Sequence, residues 1–323
     1  MSPPMTNIAR RQCLKTLAVA AATPLASLPL AACASAGGER LAECLAELER
    51  RSGGRLGVAV FDAGSGRLAG HRVDERFALC STFKLPLAAA VLQRVGRGEW
   101  SPERWVPFGA ADRVPHMPVT GRHIAAGGMR LIDLVEAAQT ESDNLAANLL
   151  LRLLGGPAGF TAWLRTQGDA LTRLDRTEPA LNHVPPGSLA DTTTPAAMAR
   201  TVARQFSADG LDAASQARLR GWMQATRTGG RRLRAGLPPG WRSGDKTGTG
   251  LHDDLPDQLN DVAVVWPDGG RAPWLVAAYF ESHHRGSPAP RAEDEAVLAE
   301  VGRLATEWLA AGPANGPRPA LLA

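Results

Sequence analysis

The stretch around which the rest of the chain is organised reads Cys80-Ser81-Thr82-Phe83-Lys84. It begins an apolar pattern of helical period that predicts an amphipathic helix running to residue 92. Residues three apart share one face of a helix, so the Ser81 hydroxyl and the Lys84 amine should meet. Such an amine activates a serine when burial keeps it partly neutral, and a helix N-terminus offers N–H groups to an oxyanion. The structural alternative is a helix cap beside a solvated lysine.

The composition indicates a folded globular protein that is nearly neutral once its N-terminal segment is set aside. The chain has 323 residues, 44% of them apolar and 21% charged, enough for one large domain or two interleaved ones. The formal charge of +4 includes Arg10, Arg11 and Lys15, which lie in a segment without acidic residues. Without these three, 33 basic residues face 32 acidic ones. Neither nucleic acid nor a membrane surface is therefore expected as a partner.

Residues 1–36 are predicted to be an export signal, because a basic start is followed by an apolar run and then by small residues. The run contains two prolines and is too weakly hydrophobic for a transmembrane span. Its basic part is similar to a twin-arginine signal, although Cys13 replaces the usual phenylalanine and leaves the ordinary secretory route open. A signal-peptidase motif ending at Ala36 competes with a lipobox ending at Cys33. Both predict the bacterial cell envelope, with the periplasm as the destination.

Only Cys44 and Cys80 fall in the predicted folded part of the chain. Two cysteines are too few for a disulfide framework, even in an oxidising compartment. Cys44 lies in a predicted helix with no evident route to Cys80. Both are therefore expected to be buried free thiols.

The order of the predicted elements is strands, then helices, then strands. Strands are predicted at 56–61, 67–72, 241–249, 262–266 and 274–280, and helices at 39–51, 80–92, 132–138, 143–154, 160–165, 195–206, 212–225 and 292–311. Strands at both ends imply that the two ends pair into one sheet. The predicted fold is a mixed α+β fold: an antiparallel sheet flanked by N- and C-terminal helices, plus an all-helical lobe. The active site is expected in the cleft between them.

The same pattern predicts the domain boundaries. Residues 37–75 and 226–311 are expected to form a discontinuous α/β domain, and residues 76–225 a helical domain. The proline-rich segment 312–323 is predicted to be a flexible tail.

Two further tripeptides carry candidate functional groups. Ser142-Asp-Asn144 is predicted to begin a helix, with Ser142 at the cap and Asn144 on the first turn; a plain N-cap is the alternative. Lys246-Thr-Gly248 lies inside a predicted strand, where a buried lysine is costly unless it faces a polar cleft. Glycine at that place lets a ligand approach the backbone. The alternative is a lysine on an edge strand.

Glu178 and Asn182 lie in a long segment without strong periodicity, which usually indicates a functional loop. Arg173 or Arg176 is expected to pair with Asp191 and to close the ends of this loop. A carboxylate held in such a loop can bind a water and remove its proton. An isolated glutamate would instead be a solvated surface group.

Taken in order, four motifs resemble those of the class A serine β-lactamases. They are Ser-x-x-Lys at 81–84, Ser-Asp-Asn at 142–144, Glu-x-x-Leu-Asn at 178–182 and Lys-Thr-Gly at 246–248. The resemblance covers roughly residues 40–311. It implies hydrolysis of β-lactam antibiotics, penicillins and cephalosporins among them, through a serine acyl-enzyme. It also implies antibiotic resistance, a monomer, and no cofactor, metal or protein partner.

The resemblance implies a catalytic role for four residues. Ser81 would attack the lactam carbonyl, and Ser142 would pass a proton to the departing nitrogen. Lys84 would act as base or proton relay, and Glu178 would activate the deacylating water. Whether Lys84 or Glu178 removes the serine proton stays open at this point.

The resemblance also implies how the substrate is held. Lys246 and Thr247 would contact its carboxylate, and Arg232 would assist because no arginine lies near residues 259–260. Asn144 would hold Lys84 and the side-chain amide of the substrate, and Asn182 would hold the water. His116 would lie at the rim of the cleft. The backbone N–H groups of Ser81 and Thr249 would form an oxyanion hole.

Two other functions stay open on the sequence alone. A D-Ala-D-Ala peptidase or penicillin-binding protein shares three of the motifs, and a covalent lactam sensor would share them too. Glu178 with Asn182 favours hydrolysis, because the peptidases lack a placed deacylation base.

In some carbapenem-hydrolysing relatives, a disulfide joins the residue before the serine to a residue just after Lys-Thr-Gly-x. Here these two positions hold Cys80 and Gly250, so that disulfide cannot form. A zinc hydrolase is disfavoured, since none of the seven histidines forms His-x-His.

Overall fold

The computed structural model describes residues 30–311. Residues 1–29 of the predicted export signal and the predicted flexible tail at 312–323 lie outside the described residues. Within residues 30–311, no helix is both long enough and apolar enough to cross a membrane.

Residues 30–311 form eight α-helices and nine strands. The strands of four residues or more lie toward the two ends of the chain, as predicted, and four strands of two or three residues lie between them. The helices are α1 Leu30–Ser52, α2 Lys84–Gly96, α3 Leu131–Thr140, α4 Asn144–Leu153, α5 Gly156–Thr166, α6 Pro195–Gln205, α7 Ala213–Ala225 and α8 Ala292–Ala310. The strands are β1 Arg55–Asp62, β2 Leu68–His71, β3 Phe77–Ala78, β4 Trp105–Pro107, β5 Gly128–Arg130, β6 Thr192–Thr193, β7 Ser243–Gly250, β8 Pro256–Val265 and β9 Trp274–Arg285. The mixed α+β fold is therefore confirmed.

The main sheet has five strands in the order β2-β1-β9-β8-β7, and all neighbours are antiparallel. Strands from the two ends of the chain thus pair directly, as predicted; Val58 on β1, for example, lies opposite Ala278 on β9. The assignment of domains at residues 37–75, 76–225 and 226–311 stays a prediction.

Alternate residues of the sheet enter two separate apolar cores, as the period of two along a strand requires. Val58 and Val60 pack with residues of α1 and α8, including Leu45 and Leu298. Ala59, by contrast, belongs to the core formed with α2, α3, α4, α6 and α7. Both faces of the central strands are therefore buried, which explains their nearly continuous apolar sequence.

The two cores determine on which face of β7 each side chain lies. Lys246 pairs with Val262, whose side chain belongs to the core shared with the helical segments. Asp245 pairs with Ala263, whose side chain belongs to the core shared with α1 and α8. Residues directly opposite each other in a ladder share one face. Lys246 therefore faces the helical segments, and Asp245 faces the opposite side of the sheet.

The cysteines differ from the prediction in one respect. Both Cys44 and Cys80 are free, but only Cys80 is fully buried, whereas Cys44 is partly exposed. Cys44 lies on α1, whose apolar face packs on the sheet while its other face meets solvent. The prediction that Cys44 is buried is wrong, because its position lies at the edge of that apolar face.

Candidate active site

The nucleophile motif forms a short 3-10 turn, Cys80–Phe83, and α2 begins only at Lys84. The predicted single helix from residue 80 is therefore divided into two elements. The expected contact between the two side chains is nevertheless present, since Lys84 Nζ lies 2.9 Å from Ser81 Oγ. Cys80 adopts a positive φ of +43°, which places the turn against the end of β7.

Lys84 is completely buried and has polar partners on several sides. Its ammonium lies 2.8 Å from Ser142 O and 2.6 Å from Asn144 Oδ1, and both of these oxygens can only accept hydrogen bonds. The remaining direction leads to Ser81 Oγ and Glu178 Oε1, each 2.9 Å from Nζ. Burial lowers the pKa of Lys84, and the Glu178 carboxylate opposes that shift. With two of its hydrogen-bonding directions directed at Ser142 O and Asn144 Oδ1, the amine directs the third at Ser81 and Glu178.

The second motif differs from its predicted arrangement, because Asp143 and not Ser142 caps α4. Asp143 accepts a hydrogen bond from Ala146 N and binds the backbone N–H of Thr120 with its other oxygen. Ser142 precedes the cap with a φ of +58°. Its hydroxyl is therefore free to face Lys246 Nζ at 3.0 Å and Lys84 Nζ at 3.4 Å.

Lys246 is also completely buried, in agreement with its position on the face of β7 that looks toward the helical segments. Its ammonium donates to Thr247 O at 2.8 Å and to Ser142 Oγ at 3.0 Å. Burial lowers its pKa strongly, and the charge of Lys84 lowers it further. Two of the three N–H groups have these partners, which leaves the third for a ligand.

The long loop is closed by Arg176, which resolves the alternative left open by the sequence. Arg176 Nε lies 2.6 Å from Asp191 Oδ2, whereas Arg173 pairs with Asp175 at 2.5 Å. The buried Asp191 also accepts the backbone N–H of Asp175 and of Arg176. A carboxylate with several donors of this kind fixes both ends of the loop.

Glu178 reaches from this loop to the nucleophile. Its Oε1 lies 3.3 Å from Ser81 Oγ, and its Oε2 accepts a hydrogen bond from Asn182 Nδ2 at 2.6 Å. Asn148 holds the backbone of Glu178 on both sides, with N–H and C=O contacts of 2.9 Å each. The side-chain Oδ1 of Asn182 is buried and has no partner among the described residues. This acceptor can bind a water beside the carboxylate.

Arg232 is almost fully buried, at 2% exposure, and lies behind the end of β7. Its guanidinium donates to the carbonyls of Gly248 and Asn260 and to Thr249 Oγ1, each within 2.9 Å. Glu295, which lies 3.4 Å from Arg232 Nε, balances its charge. The arginine is therefore held in place for a contact made together with Thr249.

His116 borders the cleft with a φ of +56°, and its Nε2 donates to Glu141 O at 3.1 Å. The backbone carbonyl of His116 accepts from Asn144 N at 3.0 Å. The residue thus supports the start of α4 as well as the rim.

The predicted residues meet at one cleft of about 570 Å³. Its lining includes Ser81, His116, Ser142, Asn144, Glu178, Asn182, Arg232, Thr247 and Thr249. Lys84 and Lys246 lie directly behind this lining. A second cavity of similar volume, beside α6, contains none of these residues. Within residues 30–311, no cluster of three His, Cys, Asp or Glu side chains is arranged to bind a metal ion.

Sequence reasoning missed three residues that support the site: Asn148, Glu295 and Thr228, whose hydroxyl lies 2.6 Å from that of Thr247. Only Asn148 had a signal in the sequence. It lies four positions after Asn144, so both project from the same face of α4. A second polar residue on that otherwise apolar face indicates a buried hydrogen-bond partner.

The chain is similar to known β-lactamases over most of its length. The sequence model of the Beta-lactamase enzyme family matches residues 40–309. The chain is 44% identical over 298 residues to Beta-lactamase L2 of Stenotrophomonas maltophilia, covering 92% of this chain and 94% of that protein. It is 45% identical over 258 residues to Beta-lactamase FAR-1 of Nocardia farcinica, covering 80% and 79% of the two chains. Among solved structures, an ancestral class A β-lactamase is similar with a TM-score of 0.76 and 54% identity, covering 83% of this chain and 99% of that one.

Proposed function

Because this chain belongs to the class A serine β-lactamases, we propose that Ser81, Lys84, Ser142 and Glu178 carry out its reaction in the roles described below. The chain is a hydrolase that opens the amide bond of β-lactams and confers resistance to them. Neither a peptidase nor a lactam sensor is favoured by its relatives. Penicillins and cephalosporins are the substrates we propose.

Acylation begins with the transfer of the Ser81 proton. Lys84 Nζ lies at 2.9 Å from Ser81 Oγ and Glu178 Oε1 at 3.3 Å, so the amine is the nearer acceptor. Lys84 must first be neutral, and Glu178, 2.9 Å away, can take its proton. We propose that Lys84 relays the serine proton to Glu178 while Ser81 Oγ bonds to the lactam carbonyl carbon.

Departure of the lactam nitrogen requires a proton. The Ser142 hydroxyl lies between the two lysines, 3.0 Å from Lys246 Nζ and 3.4 Å from Lys84 Nζ. We assign to Ser142 the donation of its proton to the nitrogen as the C–N bond breaks. The Lys84 ammonium returns a proton to the Ser142 alkoxide and regains one from protonated Glu178, so Glu178 is a carboxylate again before deacylation.

Deacylation is the step that makes the protein a hydrolase, and the position of Glu178 is the observation on which this proposal depends. One oxygen of its carboxylate faces Ser81, and the other is held by Asn182. A water bound by Glu178 and by the free Oδ1 of Asn182 would lie next to an ester formed on Ser81. Glu178 removes a proton from this water as its oxygen bonds to the ester carbon. The proton passes through Lys84 to Ser81 Oγ, which leaves as the ester bond breaks.

Substrate binding is assigned to the cations and hydroxyls of β7 and its neighbours. The third N–H of Lys246, together with Thr247, would bind the substrate carboxylate, and Arg232 with Thr249 would support that contact. Asn144 would bind the side-chain amide of the substrate, and His116 would border it. A Cβ placed on Gly248 would lie 3.2 Å from Ser81 N. This close approach supports an oxyanion hole made by the backbone N–H groups of Ser81 and Thr249.

The test is the fate of the covalent intermediate in Glu178→Ala. We expect this variant to react with benzylpenicillin, to accumulate the acyl-enzyme and to turn over about 10³-fold more slowly than the unmodified protein. Intact-mass spectrometry measures the adduct, and Glu99→Ala, at an exposed position, serves as the control. Rapid turnover by Glu178→Ala would refute the role of Glu178. A long-lived adduct on the unmodified protein would instead favour a peptidase or a sensor.

Family membership supports an exported protein, and we propose the periplasm as its location. The mass of the mature chain distinguishes cleavage after Ala36 from a lipidated Cys33, and blocking the twin-arginine route tests that path of export. We also propose that the protein is a monomer, because every side chain assigned above comes from one chain. Its elution volume in size-exclusion chromatography tests this.

A further inference from the structure

We propose that His252 is a positioning residue for deacylation, because it holds the backbone of Asn182, the residue that orients Glu178. This inference rests on the proposed role of Glu178. His252 lies in the connection between β7 and β8, outside the long loop and outside the four motifs. Its Nε2 lies 3.1 Å from the carbonyl oxygen of Asn182, and its side chain is partly buried.

The chemistry of the partner fixes the direction of this hydrogen bond. A carbonyl oxygen only accepts, so Nε2 of His252 carries the proton and donates it. Both the neutral ring with hydrogen on Nε2 and the protonated ring can donate in this way. The contact is therefore available in either charge state of His252.

The end of β7 passes close to the loop at the same place. A Cβ built on Gly250 would lie 3.5 Å from Asn182 O and 2.7 Å from Gln258 Oε1. Gly250 therefore lies within ordinary van der Waals reach of the carbonyl, and its close neighbour is Gln258. The chain then turns so that His252, two residues later, reaches the carbonyl. The contact thus joins the strand that carries Lys246 to the loop that carries Glu178.

A second histidine lies next to the first one. His183 Nε2 donates to Asp254 Oδ2 at 2.8 Å, and the rings of His183 and His252 are 5.1 Å apart and nearly perpendicular. The side chains of His183 and Asp254 are 43% and 66% exposed, so their contact contributes little. Of these three residues, His252 makes the hydrogen bond to the carbonyl of Asn182.

The rest of the loop shows why this contact is important. Arg176 and Asp191 hold its ends, and Asn148 holds Glu178. In the described chain, Asn182 receives only one hydrogen bond from outside residues 173–191, and His252 provides it. Without it, Asn182 is held only by Pro179 and Glu178, which belong to the same loop and can move with it. A shift of about 1 Å at a positioning group costs up to about 10²-fold in rate.

The proposal separates the two chemical steps. Ser81 lies in the 3-10 turn before α2, Lys84 begins α2, and Ser142 precedes the cap of α4. In the described chain, none of the three is hydrogen-bonded to His252. Acylation uses Glu178 Oε1, which lies 2.9 Å from Lys84 Nζ, whereas Asn182 contacts the other oxygen, Oε2. Acylation should therefore depend little on His252. Deacylation should depend on it, because Asn182 Nδ2 is 2.6 Å from the Glu178 carboxylate that activates the water.

The experiment compares His252→Ala, His252→Gln and the unmodified protein with benzylpenicillin. Stopped-flow absorbance gives the acylation rate constant, and the decay of the adduct in intact-mass spectra gives the deacylation rate constant. We expect His252→Ala to lower deacylation about tenfold and to change acylation less than about twofold. We expect His252→Gln to restore deacylation to within about threefold, because its amide N–H can replace Nε2. His123→Ala, at an exposed position in the described chain, is the control.

Three results would overturn the proposal. One is unchanged deacylation in His252→Ala, and another is equal loss in the alanine and glutamine variants. The third is a parallel loss of both steps with a lower melting temperature, which indicates a structural role only. Failure of the proposed function would look different, since the unmodified protein and His123→Ala would then also fail to release product.

Discussion

Lys84 and Lys246 lie on either side of Ser142 and are both completely buried, but their surroundings differ. Lys84 has the Glu178 carboxylate 2.9 Å away. Lys246 has only neutral oxygens as hydrogen-bond partners, from Thr247 and Ser142. Burial lowers the pKa of both, yet Glu178 counteracts the shift at Lys84, while the charge of Lys84 adds to the shift at Lys246.

This difference indicates two uses of the same side chain. An amine beside a carboxylate can lose a proton to it and regain one, as a relay requires. A buried ammonium without a counter-ion is unstable by itself, and a bound anion stabilises it. Lys84 is thus suited to proton transfer and Lys246 to binding a carboxylate.

The composition agrees with this interpretation. Lys84 and Lys246 are the only lysines in residues 30–311, and arginine supplies every other cationic side chain there apart from histidine. A guanidinium keeps its proton at any physiological pH, whereas a buried lysine can lose it. Within residues 30–311, lysine thus occurs only at two fully buried positions beside the cleft.

The largest expected effect is that of a substitution that keeps the positive charge at position 84 but prevents proton transfer. We predict that Lys84→Arg lowers the acylation rate about 10³-fold, because a guanidinium cannot accept the Ser81 proton. The matched variant Lys246→Arg should lose only about tenfold, because binding an anion requires charge and not proton exchange. Rapid-quench kinetics with benzylpenicillin measures both. Acylation by Lys84→Arg within tenfold of the unmodified protein would mean that Glu178 takes the serine proton directly.

The second prediction removes the charge of Lys246. We expect Lys246→Ala to lower kcat/KM by about 10²-fold through KM, as for the loss of a hydrogen bond between charged groups. Steady-state kinetics with a penicillin and with its methyl ester measures the effect of the carboxylate. The ester should lose little on substitution, and an equal loss with both substrates would contradict the assignment.

The smallest expected effect is that of Asp245, which lies on the face of β7 opposite to Lys246. Burial raises the pKa of Asp245 to about 6, against the opposing influence of Arg234 and Lys246. Above that pH its carboxylate favours the ammonium form of Lys246. In Asp245→Asn this support is absent, so the pKa of Lys246 falls further and the ammonium is lost at a lower pH. We predict a KM about threefold higher than that of the unmodified protein at pH 8.

The measurement for Asp245→Asn is the dependence of KM on pH between 5 and 9. Asp268→Asn, at a side chain that is 95% exposed, is the control. Identical pH profiles for Asp245→Asn and the unmodified protein would show that the two faces of β7 are not coupled.

The sequence predicted those parts of the site that depend on local patterns. Strand and helix patterns placed Lys246 on a strand and Lys84 at the start of a helix, whereas Ser81 lies in a 3-10 turn before that helix. The order of strands, helices and strands predicted the pairing of the two ends. These features follow from neighbouring residues, which a single sequence contains.

Contacts between distant segments could not be predicted in this way. The choice between Arg173 and Arg176 depends on how the loop folds back, and the contact of His252 with Asn182 joins residues seventy positions apart. The start of β8 was missed for a related reason. Gln258 and Asn260 are polar, but they are buried because they bind Cys80 Sγ and the carbonyl of Ala78.

The scarcity of lysine also makes both amines directly observable. In residues 30–311, isotope labelling of lysine alone marks two side chains, and both belong to the cleft. Their magnetic resonance signals can be told apart with one substitution and then followed during a titration. The proton on each of these amines can thus be monitored in the free protein and after reaction with a β-lactam, without background from other lysines in these residues.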